Sequence, residues 1–197
     1  MIDITSKDID TVSCSLHFLE AGNPEGKDVI LLHGMKFKAE SWQELGTLEK
    51  LATAGYHPLA LDMPGFGGSP ACEADQDKVL ADFINELELE RPVLIGPSMG
   101  GRIALEFALN HPGIQGGLVL VGTVGVAENK DRLSQIEQPV FIVWGGDDQI
   151  SPIANSDILL NSIKGSKRLV LEGAPHPCYQ DQPDAWHAAL LEFLATV

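Results

Sequence analysis

Cationic side chains are scarce in this chain. Against 28 aspartates and glutamates its 197 residues include only 13 lysines and arginines, a formal net charge of −15. Polyanions are drawn to basic surfaces, so this deficit argues against a general role on DNA, RNA or an anionic membrane. Long apolar runs are missing too: none approaches the roughly 20 residues that span a bilayer. The opening stretch, Met1-Ile2-Asp3-Ile4-Thr5-Ser6-Lys7-Asp8, has neither the basic start nor the apolar segment of a secretion signal. Cysteine is confined to Cys14, Cys72 and Cys178. That set is odd in number and lacks metal-type spacing, so reduced thiols are expected in place of a disulfide framework or a zinc cluster. These absences predict a cytoplasmic protein with no metal, no cofactor, no nucleic-acid partner and no membrane partner. Repeats and low-complexity tracts are lacking as well, which predicts one domain over residues 1–197.

What the chain does contain is a series of short apolar runs. Val29 to Leu32, Pro58 to Leu61, Val93 to Ile95, Leu118 to Val121, Val140 to Trp144 and Leu169 to Leu171 read as strands covered on both faces. Ile2 to Ile9 and Thr11 to Leu19 alternate instead and predict an antiparallel hairpin at one sheet edge. Helical spacing marks Ser41 to Ala54, Asp75 to Leu87, Met99 to Asn110, Ile153 to Ile163 and Asp181 to Ala195. Strand and helix in alternation predict an α/β fold with a mainly parallel sheet, whose ligands bind beyond the carboxyl ends of the strands.

The residues after each run therefore carry the functional reading. Val93-Leu94-Ile95 passes through Gly96-Pro97-Ser98-Met99-Gly100 straight into a helical pattern, the sequence form of a nucleophile elbow. The sharp turn needs neighbours without side chains, and the helix start beside Ser98 offers unpaired N–H groups to an oxyanion. His33-Gly34-Met35 follows the first central strand; Met35 and Met99 are assigned as the backbone donors, and His33 as a brace for its loop. Asp62-Met63-Pro64-Gly65-Phe66-Gly67-Gly68-Ser69 has neither the glycine spacing nor the lysine of a nucleotide-binding loop, so Asp62 is read as pinning a turn. Gly145-Gly146-Asp147-Asp148 ends a later strand, and Glu172-Gly173-Ala174-Pro175 leads from the last one to His176. A serine hydroxyl needs a base, an imidazole supplies one near neutrality, and a carboxylate fixes its tautomer. Ser98, then Asp147 or Asp148, then His176 supply those roles, with Asp148 preferred. The remaining histidines, His17, His57, His111 and His187, lack such a placement.

Taken together, these residues resemble the α/β-hydrolase superfamily over nearly the whole chain. Leu31 to Phe37, Ser41 to Leu48 and Gly173 to Tyr179 are similar, more narrowly, to the small lidless CIB-type hydrolases of the α/β-hydrolase domain-containing protein 14 group. The resemblance implies a single-domain α/β-hydrolase fold with helices on both faces and no cap domain. Its spacing from glycine to acid to proline matches Gly145, Asp148 and Pro152. About fifteen residues separate Gly125 from Val140, too few for a helical cap. Phe37, Phe66, Val124, Ile150 and Tyr179 are candidate walls of an open cleft, alongside Met35 and Met99. The expected activity is hydrolysis of small acyl esters, thioesters or amides through an acyl-enzyme on Ser98. The alternatives are acyl transfer to an amine or to coenzyme A, and an idle hydrolase fold that binds a protein; neither coenzyme A nor a protein partner is indicated by the residues themselves.

Overall fold

Apolar residues in the central runs alternate between two environments, as a strand buried on both faces requires. Ile30, Leu94, Leu118, Leu120 and Ile142 point into one core, while Val29, Leu31, Val93, Ile95, Val119 and Val143 point into the other. The computed structural model describes residues 2–197. Its strands are β1 (Ile4–Asp10), β2 (Ser15–Ala21), β3 (Asp28–Leu31), β4 (His57–Leu61), β5 (Val93–Pro97), β6 (Gly117–Val121), β7 (Val140–Gly145) and β8 (Lys167–Leu171). They form one eight-stranded sheet in the order β1-β2-β4-β3-β5-β6-β7-β8. The first two strands form an antiparallel hairpin, β2 also runs antiparallel to β4, and every other neighbouring pair is parallel.

Helices cover both faces. Val79, Leu80 and Phe83 of α3 (Gln76–Glu86), Ile103 and Phe107 of α4 (Met99–Asn110) and Leu159 of α5 (Ala154–Ser162) fill the first core. Trp42 of α1 (Ala39–Glu44), Leu48 and Leu51 of α2 (Thr47–Thr53), Cys178 and Tyr179 of α6 (Cys178–Asp181), and Trp186, Leu190 and Phe193 of α7 (Pro183–Leu194) fill the second. Between β6 and β7 the described residues form one short 3₁₀ helix, Lys130–Gln135, and no cap.

Three local expectations are corrected. The helix expected over Ser41 to Ala54 is two helices, because Gly46 adopts φ 78°, a left-handed conformation that ends one helical run and caps the next. The final helix starts at Pro183 and not at Asp181: the proline drives Gln182 to φ −124° and ψ 65°, outside the helical region. Most consequentially, Cys14 and Cys72 form a disulfide, with Cα atoms 6.1 Å apart at a sequence separation of 58. The end of the β1–β2 hairpin folds over the segment that leads into α3, where Lys78 Nζ donates to Ser13 Oγ at 2.7 Å. The pairing removes the reduced-thiol argument for a cytosolic setting. Cys178 alone stays a free thiol, buried beside Tyr179. Among the described residues no helix is long and apolar enough to cross a membrane.

Candidate active site

Ser98 stands between β5 and α4 with φ 52° and ψ −112°, a conformation rarely adopted by residues that carry a Cβ. Its surroundings enforce it. The Ser98 amide donates to the Val121 carbonyl at 2.8 Å, and its own carbonyl accepts from Arg102 at 3.0 Å and Val124 at 3.5 Å. The first turn of α4 is pressed against the sheet so closely that a Cβ on Gly96 would strike the backbone of Gly100, and one on Gly100 would lie 2.8 Å from the His33 carbonyl oxygen. This is the close approach for which the G-x-S-x-G spacing selects glycine.

Asp148 and His176 come from the ends of β7 and β8. The Asp148 side chain is fully buried, and its Oδ1 accepts the amides of Ile150 and Ser151, each at 2.8 Å. Its Oδ2 lies 2.7 Å from His176 Nδ1. A carboxylate can only accept, so Nδ1 is the donor, and Nε2 of the neutral ring is left as an acceptor. That Nε2 is buried and has no hydrogen-bond partner among the described residues. Asp147, by contrast, is exposed, which separates two carboxylates adjacent in sequence. The approach of the His176 loop to β7 again demands glycine: a Cβ on Gly145 would collide with the carbonyl oxygens of Ala174 and Pro175. Gly122, directly after Val121, adopts φ 50°, and a Cβ there would sit 3.1 Å from Asp148 Oδ2 and 3.3 Å from His176 Nδ1. The residue after Ser98's own hydrogen-bond acceptor thus underlies the Asp–His pair.

The loop after β3 lies on the other side of the elbow. Phe37 donates its amide to the Gly34 carbonyl at 3.0 Å, closing a turn with Met35 at its first corner. The amide at that corner takes no part in the turn's own hydrogen bond. A Cβ on Gly34 would be 3.8 Å from Ser98 Cβ, so the loop packs directly on the elbow. His33 braces this loop as expected. Met63 N–H donates to its Nε2 at 3.1 Å, which leaves Nδ1 to donate to the Gly34 carbonyl at 2.9 Å. Burial holds its pKa below the usual histidine value, keeping the ring neutral. Asp62 has the turn-pinning role expected of it: it is fully buried and accepts from Ala39 N at 2.7 Å and Gly68 N at 2.9 Å.

The expected walls divide. Met35 and Ile150 are exposed, 69% and 66% respectively, and form apolar points on an acidic protein. Met99, Phe37, Phe66 and Val124 are half-buried, with the Phe66 ring 4.8 Å from that of His33. Tyr179 is a correction. It is only 3% exposed and packs against Trp42 and Trp186, so it belongs to the core and not to a cleft wall. The helical turn of α6 rotates it inward. Cys178, next to it, is no nucleophile: burial, reinforced by the negative Asp148, pushes its thiol up to about 12. One supporting residue escaped the sequence reading. Ser151 gives its amide to Asp148 and its hydroxyl to the Thr123 carbonyl at 2.8 Å, tying the acid loop to the strand end beside Ser98. The signal was present as Asp148 followed by a small polar residue three positions on, the pattern of a carboxylate folded back on its own loop.

Comparison with known proteins gives the family and the fold. The family model for the alpha/beta hydrolase fold matches residues 28–132. The chain is 38% identical over 196 residues to the putative protein-lysine deacylase ABHD14B of Pongo abelii, spanning 91% of this chain and 90% of that protein. To protein ABHD14A of Danio rerio it is 37% identical over 174 residues, 85% of this chain and 64% of that one. Among solved structures, a CIB-like hydrolase from Thermoplasma acidophilum superposes with a TM-score of 0.94 at 26% identity, over 100% of both chains. With its hairpin-edged parallel sheet, its uncapped strand ends and these relatives, the chain belongs to the α/β-hydrolase family and, within it, to the ABHD14 type.

Proposed function

We propose that the protein is a serine hydrolase that cleaves small acyl esters, thioesters or amides through an acyl-enzyme on Ser98. The observation that carries this reading is the Asp148–His176 hydrogen bond of 2.7 Å with His176 Nε2 left unpartnered, at the same sheet end as the strained Ser98. In this scheme His176 Nε2 takes the Ser98 proton as Oγ attacks the acyl carbon. The amides of Met35 and Met99 receive the oxyanion, the first from a turn corner and the second from the first turn of α4. The proton then passes from His176 to the departing alcohol, thiol or amine, and water repeats the sequence to release the acid. In this scheme the hydrogen bond between Nε2 and Ser98 Oγ forms on substrate binding, when catalytic hydrogen bonds commonly reach their working geometry.

Substrate choice follows from the open strand ends. With only a short 3₁₀ helix between β6 and β7, no cap among the described residues covers Ser98, and the exposed Met35 and Ile150 offer an apolar rim to a short acyl group. The name of the ABHD14B relatives, putative protein-lysine deacylase, supports amides of lysine side chains as one substrate class, since an uncapped site admits a side chain that projects from a larger body. The test is hydrolysis of p-nitrophenyl acetate and of an acetyl-lysine peptide by wild type and Ser98→Ala. Loss of turnover by about 10⁴-fold or more on whichever substrate is cleaved is expected; retention of turnover by Ser98→Ala overturns the proposal.

A further inference from the structure

A second Ser–His–Asp constellation lies three strands from the elbow. Ser6 of β1 and His17 of β2 are diagonal partners across the hairpin, since Ser6 pairs with Leu19 and Asp8 with His17. Ser6 Oγ lies 2.8 Å from His17 Nε2, and His17 Nδ1 lies 2.8 Å from Asp62 Oδ2. The Asp62 side chain is fully buried and that of His17 is 13% exposed, while Ser6 is open to solvent. The ring is clamped from several directions. Its backbone amide donates to Ser69 Oγ at 2.8 Å, and the backbone of Gly68 lies on the imidazole so closely that a Cβ would come within 2.6 Å of Cγ. Asp62 only accepts, so His17 Nδ1 is the donor and Nε2 the acceptor, and the Ser6 hydroxyl is left to donate its proton to a base whose tautomer is fixed. These are the relations that activate a serine elsewhere, here on an exposed hydroxyl.

We propose that Ser6 is a second nucleophile, one that takes an acyl group from small activated acyl donors such as aryl esters and thioesters. Ser6 Oγ forms a bond to the acyl carbon while its proton passes to His17 Nε2. The bond from that carbon to the leaving group then breaks, and the leaving group departs as phenol or thiol with the proton from His17. Ser6 is left as an O-acyl ester, with nothing oxidised or reduced. The restriction to activated donors follows from the backbone. Ser6 stands in an extended edge strand and not at the start of a helix, so it has no helix-end amides to hold an oxyanion and depends on a good leaving group.

The proposal does not rest on Ser98, and its test removes that residue. The Ser98→Ala protein is treated with diisopropyl fluorophosphate, which loses fluoride on attack by a serine and leaves a phosphoryl adduct readable by peptide mass spectrometry. Ser15, exposed on the same hairpin and bonded to Asp10 with no imidazole, is the internal reference. Labelling of Ser6 about 10²-fold faster than Ser15, reduced by a similar factor in Ser98→Ala/His17→Gln, is expected from general-base assistance. An unlabelled Ser6, or labelling unchanged by His17→Gln, overturns the proposal. Circular dichroism of the double variant, and labelling of Ser6 in wild type with Ser98 already blocked by reagent, keep the outcome independent of any folding defect.

Discussion

The Asp148–His176 pair near Ser98 and the Asp62–His17–Ser6 chain share an aspartate–histidine hydrogen bond and have very different backbones. At the elbow, Ser98 is held at φ 52° at the start of α4, and Asp148 takes two amides from its own loop. At the hairpin, Ser6 lies in an extended strand, and Asp62 takes amides from Ala39 and Gly68, 23 and 6 residues away in sequence. The first carboxylate thus divides its hydrogen bonds between its own loop and one imidazole. The second also joins the start of α1 and the Gly67-Gly68 turn to the sheet. The imidazoles differ in the same sense: His176 Nε2 is unpartnered, whereas His17 Nε2 already holds Ser6. A hydrogen-bonded relay makes a hydroxyl nucleophilic, but the helix start and the adjacent turn are what would stabilise the charge that follows. Turnover is therefore expected at one place and stoichiometric modification at the other.

Exchanging single atoms in the two acids puts the comparison at greatest risk. Asp148→Asn should lower kcat on p-nitrophenyl acetate by about 10⁴-fold, because the amide favours the wrong tautomer of His176. Asp147→Asn should leave turnover near wild type; comparable losses in both variants would reassign the acid. Asp62→Asn should act mainly on stability. Its new NH₂ would face the donors of His17 and Gly68 or, in the flipped orientation, that of Ala39, at a cost of about 1–3 kcal/mol, readable as a lower urea midpoint with most of the turnover retained.

The smallest expected effect concerns His33, which joins the two regions through Met63 and Gly34. Its folded-state pKa lies below the usual 6.5 because of burial, so the unfolded chain binds the proton more readily. The neutral ring's contribution is complete above 6.5 and is lost as the pH falls through the lowered folded value. Urea midpoints of wild type should therefore decline below that pH more steeply than those of His33→Gln. Equal slopes would remove His33 as the acid-sensitive link.

Much of the elbow was legible because its determinants are local. Gly96, Ser98 and Gly100 are within one turn of each other, and their close approach is a property of that turn. Asp148 and His176 were legible for a different reason: each directly follows an apolar run, and a parallel sheet gathers the ends of such runs. Their separation from Asp147 and Tyr179 depended on rotation by one residue, which neither composition nor periodicity specifies in a loop or a single helical turn. The division of the α1–α2 region turned on one positive φ at Gly46. The Cys14–Cys72 bond and the His17–Asp62 pair needed contacts across 58 and 45 residues, set by hairpin register and by the path of the segment after β4. Cysteine spacing along the chain held no trace of the first, and the position of His17 in a hairpin strand gave no reason to connect it with a distant aspartate.

The conformation of Ser98 also restricts what this site could become. At φ 52° a side chain branched at Cβ meets the backbone on either side, so of the two aliphatic alcohols among the amino acids only serine is accommodated. Threonine would bring the same hydroxyl and a methyl group with no room to stand in. Evolutionary drift at this position is thereby channelled toward unbranched residues, cysteine with its sulfur or alanine with no nucleophile, and a threonine enzyme lies beyond the reach of this backbone.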